Sequence, residues 1–265
     1  MAVNSKPPTL CTDLLRSIEK AIAMVIYVSF AARHQPKKQR WSSRIIHTLA
    51  RDLVLVASGI RTACLVDCVC MAPSDAQGLL LALRGIHRYI FDIRAICLQD
   101  DLFFINRAEF FRELAIDTAS DWKSRLCIDV TPQCNVSDPS IVPVPKALKA
   151  RIDSLCFALM SSRENIANLQ VDHASLVPMA GLLLNYPVLY CHLSPSNMKN
   201  LLASKPIYVY EVSIVLDSIK LVIAQFSAPK ALHHMPLVRA RCLIKTKKWA
   251  SACDVSEKTL DIVSL

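Results

Sequence analysis

The spacing of apolar side chains predicts helices and strands that alternate along the first half of the chain. Between residues 13 and 30, Leu14, Ile18 and Ile22 recur at the helical period, and residues 43–58 repeat this pattern up to Gly59. Glycine is favoured just after the last helical turn, so Gly59 is predicted to end the second helix. Short apolar runs that suit strands follow at 62–67, 89–98, 102–105 and 126–130. This alternation predicts an α/β fold.

The second half of the chain is predicted to contain longer helices and a hairpin. A capping box beginning at Ser74 starts a third helix, residues 146–169 form the longest helix, and residues 175–185 form another. A strand covers 188–193, residues 207–216 and 220–227 form a β-hairpin, and Pro229 begins a last helix. The predicted fold is therefore a mixed, mainly parallel sheet flanked by helices, with a C-terminal helix pair and β-hairpin.

The domain organisation follows from the same pattern. Residues 1–44 are predicted to form an N-terminal helix and a basic linker, and residues 45–265 a single α/β domain. The segment 131–145 contains several prolines, which exclude regular structure over that span. A soft domain boundary is therefore placed within 131–145.

Composition indicates a soluble protein of the cytoplasm or nucleus. The chain is 53% hydrophobic with a mean hydropathy of +0.33, but its longest apolar stretch, residues 21–32, is shorter than the about 20 residues that a spanning helix needs. Residues 1–8 lack the apolar region of a signal peptide. The 11 cysteines are therefore expected as reduced thiols. No membrane contact is expected.

Several classes of ligand site are excluded by missing motifs. The chain has only 4 glycines, and neither glycine-rich phosphate-binding motif occurs. The serine-hydrolase motif G-x-S-x-G is also absent, and no cysteines have zinc-finger spacing. The expectation is a protein without a cofactor.

Two of the apolar runs end at an aspartate, and these are the candidate catalytic residues. Asp67 ends the run 62–67, and Asp129 ends the run 125–129. Because open α/β sheets usually bind ligands at the carboxyl ends of their strands, the two carboxylates are expected at one sheet edge. Together they could bind Mg²⁺ or Mn²⁺ in a phosphodiesterase or ribonuclease. The alternative is that each aspartate caps the turn that follows it.

Basic side chains indicate a further alternative, which is RNA binding without catalysis. The net charge is +9, and clustered cations can neutralise phosphates. The candidate contacts are Lys37, Lys38, Arg40, Lys245, Lys247 and Lys248. Such clusters are also common on solvated faces. Tyrosines at 186, 190, 208 and 210 would either stack on bases or pack in the core.

Four segments, in this order and spacing, resemble a known family. They are Leu-Val-Asp-Cys at 65–68, an apolar run followed by Asp-Val at 127–130, Leu-Leu-Leu-Asn-Tyr-Pro-Val-Leu-Tyr at 182–190 and Phe-Ser-x-Pro at 226–229. The chain thereby resembles, over residues 45–265, the uncharacterised eukaryotic family typified by the human chromosome 1 open reading frame 74 protein. The resemblance implies an intracellular protein with no established activity, and residues 1–44 lie outside it.

The functional prediction rests on elimination. Without a nucleotide loop, a hydrolase motif or a third strand-end acid, the chain is expected to act through contacts with an unknown protein partner rather than by catalysis. Metal-dependent phosphodiester cleavage by Asp67 and Asp129 is the first alternative, and RNA binding is the second.

Overall fold

A computed structural model describes residues 12–33, 41–85, 92–131, 139–161, 165–192, 206–216, 219–232 and 253–260. The predicted mixed α/β class is confirmed. The helices within the described residues are α1 (Thr12–Arg33), α2 (Ser43–Ala57), α3 (Pro73–Arg84), α4 (Arg107–Ala119), α5 (Lys146–Ser161) and α6 (His173–Leu183). The strands are β1 (Ala63–Leu65), β2 (Ile93–Leu98), β3 (Asp101–Asn106), β4 (Leu126–Asp129), β5 (Ser140–Val142), β6 (Ile166–Leu169), β7 (Val188–Cys191), β8 (Ile207–Leu216), β9 (Ile219–Pro229) and β10 (Cys253–Leu260).

The described strands form three small sheets instead of one mainly parallel sheet. Their orders are β1-β3-β2-β6, β5-β4-β7 and β10-β8-β9. The pairs β2–β6 and β4–β7 are parallel, and the other pairs among the described strands are antiparallel. The physical reason is the short connections: two residues separate β2 from β3 and β8 from β9, and such a loop can join only antiparallel strands.

The chain divides into two compact units. Unit 1 comprises Met1–Phe110 and Phe157–Gln170, and unit 2 comprises Phe111–Cys156 and Val171–Leu265. The division reflects where contacts within the chain are dense, and it does not show that either unit folds by itself. The predicted boundary at residue 44 and the soft boundary within 131–145 therefore stay predictions. None of the described helices combines the length and the apolar character that a membrane span requires.

The core of unit 1 forms where α1 packs on α2 and α3. Ile18 and Ile22 of α1 are buried together with Leu49 and Leu53 of α2. Full burial of each such side chain contributes about 1.5–3 kcal/mol, so α1 adds substantially to this core. The predicted end of α2 is confirmed, because Gly59 follows the C-cap in the left-handed conformation with φ 70°.

Two predicted helix boundaries are wrong. The capping box at Ser74 does not form, because α3 begins at Pro73 after the N-cap Ala72, whose side chain makes no capping bond. Proline needs no N–H acceptor in the first turn and its φ suits a helix start. The predicted helix 146–169 ends at Ser161, and 166–169 forms strand β6, parallel to β2. A segment of only four residues, three of them apolar, is too short to distinguish the two periods, and pairing with β2 decides between them.

In unit 2, Tyr210 of the third sheet packs in the core, and Tyr190 of the second sheet is half-buried. Tyr210 is 1% exposed, and its ring stacks on Phe226 with centroids 5.1 Å apart. The hydroxyl of Tyr190 lies 3.0 Å from the Ser227 hydroxyl, and burial raises the pKa of Tyr190 to about 12. Core packing is thus the structural role of Tyr210, and the hydroxyl of Tyr190 is engaged with Ser227. Pro229 ends β9 and does not begin a helix, and residues 233–252 lie outside the described residues.

Candidate functional site

The two predicted catalytic aspartates end strands of different sheets. Asp67 follows β1 of the first sheet in unit 1 and is exposed, whereas Asp129 ends β4 of the second sheet in unit 2 and is 5% exposed. The expectation of a shared sheet edge is therefore wrong. Asp129 Oδ1 accepts the backbone N–H of Thr131 at 2.9 Å, which is the turn-capping role.

The sheet topology therefore gives no support for a metal site at Asp67 and Asp129, and that site stays a prediction. Among the described residues, no group of three or more His, Cys, Asp or Glu side chains is placed to hold a metal ion. The predicted RNA contacts Lys37, Lys38, Arg40, Lys245, Lys247 and Lys248 lie outside the described residues.

A cleft of about 460 Å³ lies in unit 2 at the amino end of β4. It is bordered by the turn that precedes β4, by the first residues of β4, by residues 141–144 and by Lys149 of α5. Asp129 is at the opposite, carboxyl end of the same strand and does not line the cleft. The cavity is large enough for an amino-acid side chain or a small ligand.

A buried ion pair holds the wall of this cleft. Arg125 and Asp117 are 2% and 0% exposed, and Arg125 Nε donates to Asp117 Oδ2 at 2.6 Å. Arg125 also donates to the carbonyl of Tyr186 at 2.6 Å and to Asn185 Oδ1 at 2.7 Å. One guanidinium thereby joins the end of α4, the start of β4 and the loop before β7. The fixed fork of an arginine suits three acceptors in such a small space.

The remaining Asp117 oxygen is also bonded. Ser124 donates its hydroxyl to Asp117 Oδ1 at 2.6 Å, and Ser120 and Ser124 have their hydroxyl oxygens 3.1 Å apart. A buried carboxylate needs such donors because its desolvation is costly. The network therefore fixes the geometry of the turn between α4 and β4.

That turn carries two consecutive residues in the left-handed region. Asp121 has φ 49° and Trp122 has φ 63°, a conformation that costs a bulky residue about 1–3 kcal/mol. The Trp122 N–H donates to the Asp117 carbonyl at 2.7 Å, which holds the turn in place. As a result, the half-buried Trp122 lines the cleft. Backbone strain of this kind is concentrated at binding and catalytic sites.

The surface of the cleft combines apolar side chains with positive charge. Trp122, Ile141 and Pro143 supply apolar area, and Lys123 and Lys149 are exposed at its border. Asp121 is the exposed acid of the lining, and the charge of Arg125 is balanced by the buried Asp117. Two exposed cations against one exposed anion give the cleft a positive character.

Strand β5 lies within 131–145, so the prediction that prolines exclude regular structure over that span is wrong: the three residues 140–142 contain no proline and pair with β4. This strand borders the cleft and is an edge strand within the described residues. It pairs antiparallel with β4 and is the terminal strand in the order β5-β4-β7. Ser140 is exposed, and Ile141 is 38% exposed. An edge strand presents backbone N–H and C=O groups to which another extended chain can bond.

Sequence reasoning missed most of this site. Asp117 lies two helical turns after Phe110, so an acid occupies a position in the buried stripe of α4. Arg125, in turn, directly precedes the buried strand β4. A charged residue in the buried stripe of a helix and another at the start of a buried strand are the signal that could have indicated their pairing. Trp122 carried no comparable signal, because its positive φ occurs without glycine.

Comparison with known proteins gives a family but no activity. A profile described as Domain of unknown function (DUF4504) matches residues 31–253, which is more than half of the chain. No solved structure matches the chain.

Proposed function

The chain belongs to this family of unknown function, and we propose that it is a protein-binding module whose cleft beside β5 docks an extended, acidic segment of a partner protein. The segment would carry one bulky apolar side chain flanked by Asp or Glu. The observation that carries this proposal is the position of the cleft, which lies directly against the terminal strand of a sheet.

The edge of β5 supplies the first part of the recognition. An extended segment can add to an edge strand through main-chain hydrogen bonds, and pockets for its alternate side chains then provide specificity. Ile141 and Val142 belong both to β5 and to the lining of the cleft. A side chain of the added strand can therefore enter the cleft while its backbone bonds to β5.

Charge complementarity supplies the second part. Lys123 and Lys149 border the cleft from two separate elements, so they can contact acids on both sides of an apolar anchor. Rim charges such as these act mainly on association rate and on partner choice. Trp122 offers the flat apolar surface that is enriched at the centre of protein interfaces.

Peptide binding tests the proposal. We would measure fluorescence polarisation with two panels of short peptides that place Leu, Phe or Trp between acidic residues or between basic residues. The acidic panel is expected to bind with a Kd in the micromolar range and to weaken with added salt, because the rim charges are exposed. Equal binding of both panels, or none of the acidic one, would contradict the proposal.

A charge reversal makes the test specific to the cleft. Lys123→Glu combined with Lys149→Glu is expected to weaken the acidic peptides roughly tenfold and to improve the basic ones. Lys146→Glu is the matched control, because Lys146 is exposed one turn earlier on α5 and does not line the cleft. The same loss in the control would place binding elsewhere.

The finer predictions from the sequence remain proposals. They are membership of the chromosome 1 open reading frame 74 type, a place in the cytoplasm or nucleus, phosphodiester cleavage by Asp67 and Asp129, and RNA binding. Protein docking is preferred over cleavage because Asp129 caps a turn and the two acids end strands of different sheets.

A further inference from the structure

Three half-buried arginines of unit 1 lie where the ends of three elements meet. Arg84 is the last residue of α3, Arg94 is the second residue of β2, and Arg107 directly follows β3. The sheet register and the packing of α3 place these three ends at one end of the first sheet. Three guanidinium groups thereby share a small region of unit 1.

The register of β2 and β3 brings Arg94 and Arg107 together. Arg94 is directly opposite Ile105, and Arg107 is two residues beyond Ile105. Such diagonal neighbours on paired strands are about 7–8 Å apart, which is within reach of long side chains. The two guanidinium groups can therefore approach the same ligand.

Packing of α3 on β2 brings Arg84 to the same end of the sheet. Leu83, near the end of α3, and Ile93, at the start of β2, are buried in one core cluster, and the two elements are in contact. Arg84 directly follows Leu83, and Arg94 directly follows Ile93. The pKa of Arg94 agrees with this placement, because burial lowers it first and the charges of Arg107 and Arg84 lower it further.

Asp92 offsets part of the charge of these arginines. Its Oδ1 accepts from Arg107 Nε at 3.1 Å and from Arg107 Nη2 at 2.9 Å. Glu109, in the first turn of α4, has its carboxylate beside Gly59 instead, where an added Cβ would lie 3.0 Å from Oε1. Three guanidinium groups against the carboxylate of Asp92 leave a net positive charge.

Arg84 also carries a buried donor without an acceptor. Within the described part of the chain, Arg84 Nε is buried and has no hydrogen-bond partner. An unsatisfied buried donor destabilises a fold, so such groups are rare in native proteins. An anionic oxygen at this position would accept from Nε and offset the clustered charge.

We propose that Arg84, Arg94 and Arg107 together bind a phosphate group, either as inorganic phosphate or as the phosphate of a small monoester. The planar fork of arginine matches phosphate oxygens and can bond to two of them at once. This inference does not depend on peptide docking in unit 2.

The size of the cluster favours a single phosphate group over a nucleic-acid backbone. Non-specific binding of a single strand uses a basic groove that follows several nucleotides, with aromatic side chains on which bases stack. The three arginines instead occupy one end of a sheet and converge from three elements. A compact anion with several oxygens suits this arrangement.

Thermal unfolding of the full chain tests the site. Inorganic phosphate is compared with sodium chloride of equal ionic strength at neutral pH, so that general screening is the same. At ten times its Kd, phosphate should raise Tm by roughly 3–6 °C relative to chloride. The same gain with phenyl phosphate would assign the site to monoesters, and a gain with inorganic phosphate alone would assign it to the free anion.

Variants of opposite expected sign make the test specific to the cluster. Arg84→Gln and Arg107→Gln should each weaken phosphate binding about tenfold. Asp92→Asn removes the carboxylate that competes with phosphate, so it should tighten binding. Arg16→Gln, at an exposed arginine of α1, is the matched control and should leave binding unchanged. If a glutamine variant fails to fold, Arg84→Lys, which keeps the charge but loses the fork, replaces it and should still weaken binding.

Several results would overturn the site. They are equal Tm values in phosphate and chloride, an unchanged phosphate effect in the Arg84 and Arg107 variants, and weaker binding in Asp92→Asn. A short single-stranded RNA that binds more tightly than either phosphate probe, and that loses affinity in the same arginine variants, would also contradict the assignment to a small phosphate.

Discussion

The buried pair of Asp117 and Arg125 should be the most sensitive polar contact of unit 2. Arg125→Met removes three hydrogen bonds and leaves the Asp117 carboxylate at 0% exposure without its counter-charge. Removing one partner of a buried pair costs about 3–5 kcal/mol. A domain has only about 5–15 kcal/mol of total stability, so this loss should be plain in unfolding experiments.

A double-mutant cycle separates the charge effect from packing. Asp117→Leu leaves the guanidinium buried and should be about as costly as Arg125→Met. The double variant, which buries neither charge, should be less destabilised than the sum of the two single variants by about 2 kcal/mol or more. Urea unfolding at pH 7, followed by circular dichroism, gives the free energy of each variant.

An exposed ion pair of the same unit provides the control. Arg151 and Asp172 are 41% and 49% exposed, with Nη2 and Oδ2 3.3 Å apart. Exposed pairs contribute about 0.2–1 kcal/mol, so Arg151→Met should have a small effect. If Arg125→Met cost no more than Arg151→Met, or if the double-mutant cycle were additive, the account of the buried pair would be refuted.

Three further predictions concern local features. Gly59→Ala should destabilise the protein by about 1–2 kcal/mol in thermal melts, because Gly59 has φ 70° and the added Cβ would lie 3.0 Å from Glu109 Oε1. The control Gly85→Ala should be near neutral in the same measurement. Burial opposes the charge of Asp172, but the hydrogen bonds that its carboxylate accepts hold its pKa below the usual value. The stability that the ionised carboxylate contributes to the protein is therefore present above about pH 4 and is lost as the pH falls through its pKa in the folded state. Asp172→Asn should make the fall of Tm at acidic pH less steep, and an unchanged fall would contradict this. Burial raises the pKa of Cys64 to about 12, so iodoacetamide at pH 8 should alkylate it only after unfolding, and rapid labelling of the native chain would disprove this.

Local patterns predicted many elements because their causes are local. Asn106 immediately precedes α4, and its Oδ1 accepts the N–H of Glu109 at 3.2 Å, a local capping contact that asparagine favours. Its Nδ2 also donates to the Val56 carbonyl at 3.0 Å, a contact between residues far apart in sequence that the pattern did not indicate. The end of α2 at Gly59 followed from glycine's freedom to adopt positive φ.

Strand partners and the cleft could not be predicted from the sequence. An apolar run looks the same whether its neighbour is parallel or antiparallel, so Asp67 and Asp129 were assigned to one sheet edge although they end strands of two sheets. The cleft depends on the Asp117–Arg125 pair and on the positive φ of Trp122. These features arise from tertiary contacts that override local preference.

Amide hydrogen exchange of the full chain, with and without a saturating acidic peptide, tests the docking proposal most directly. Pairing of the peptide with β5 should slow exchange in residues 140–144, and contact with the cleft should slow it in residues 121–125. Lys123→Glu combined with Lys149→Glu should abolish both effects. Unchanged exchange in both segments, with protection confined to other parts of the chain, would contradict the proposal.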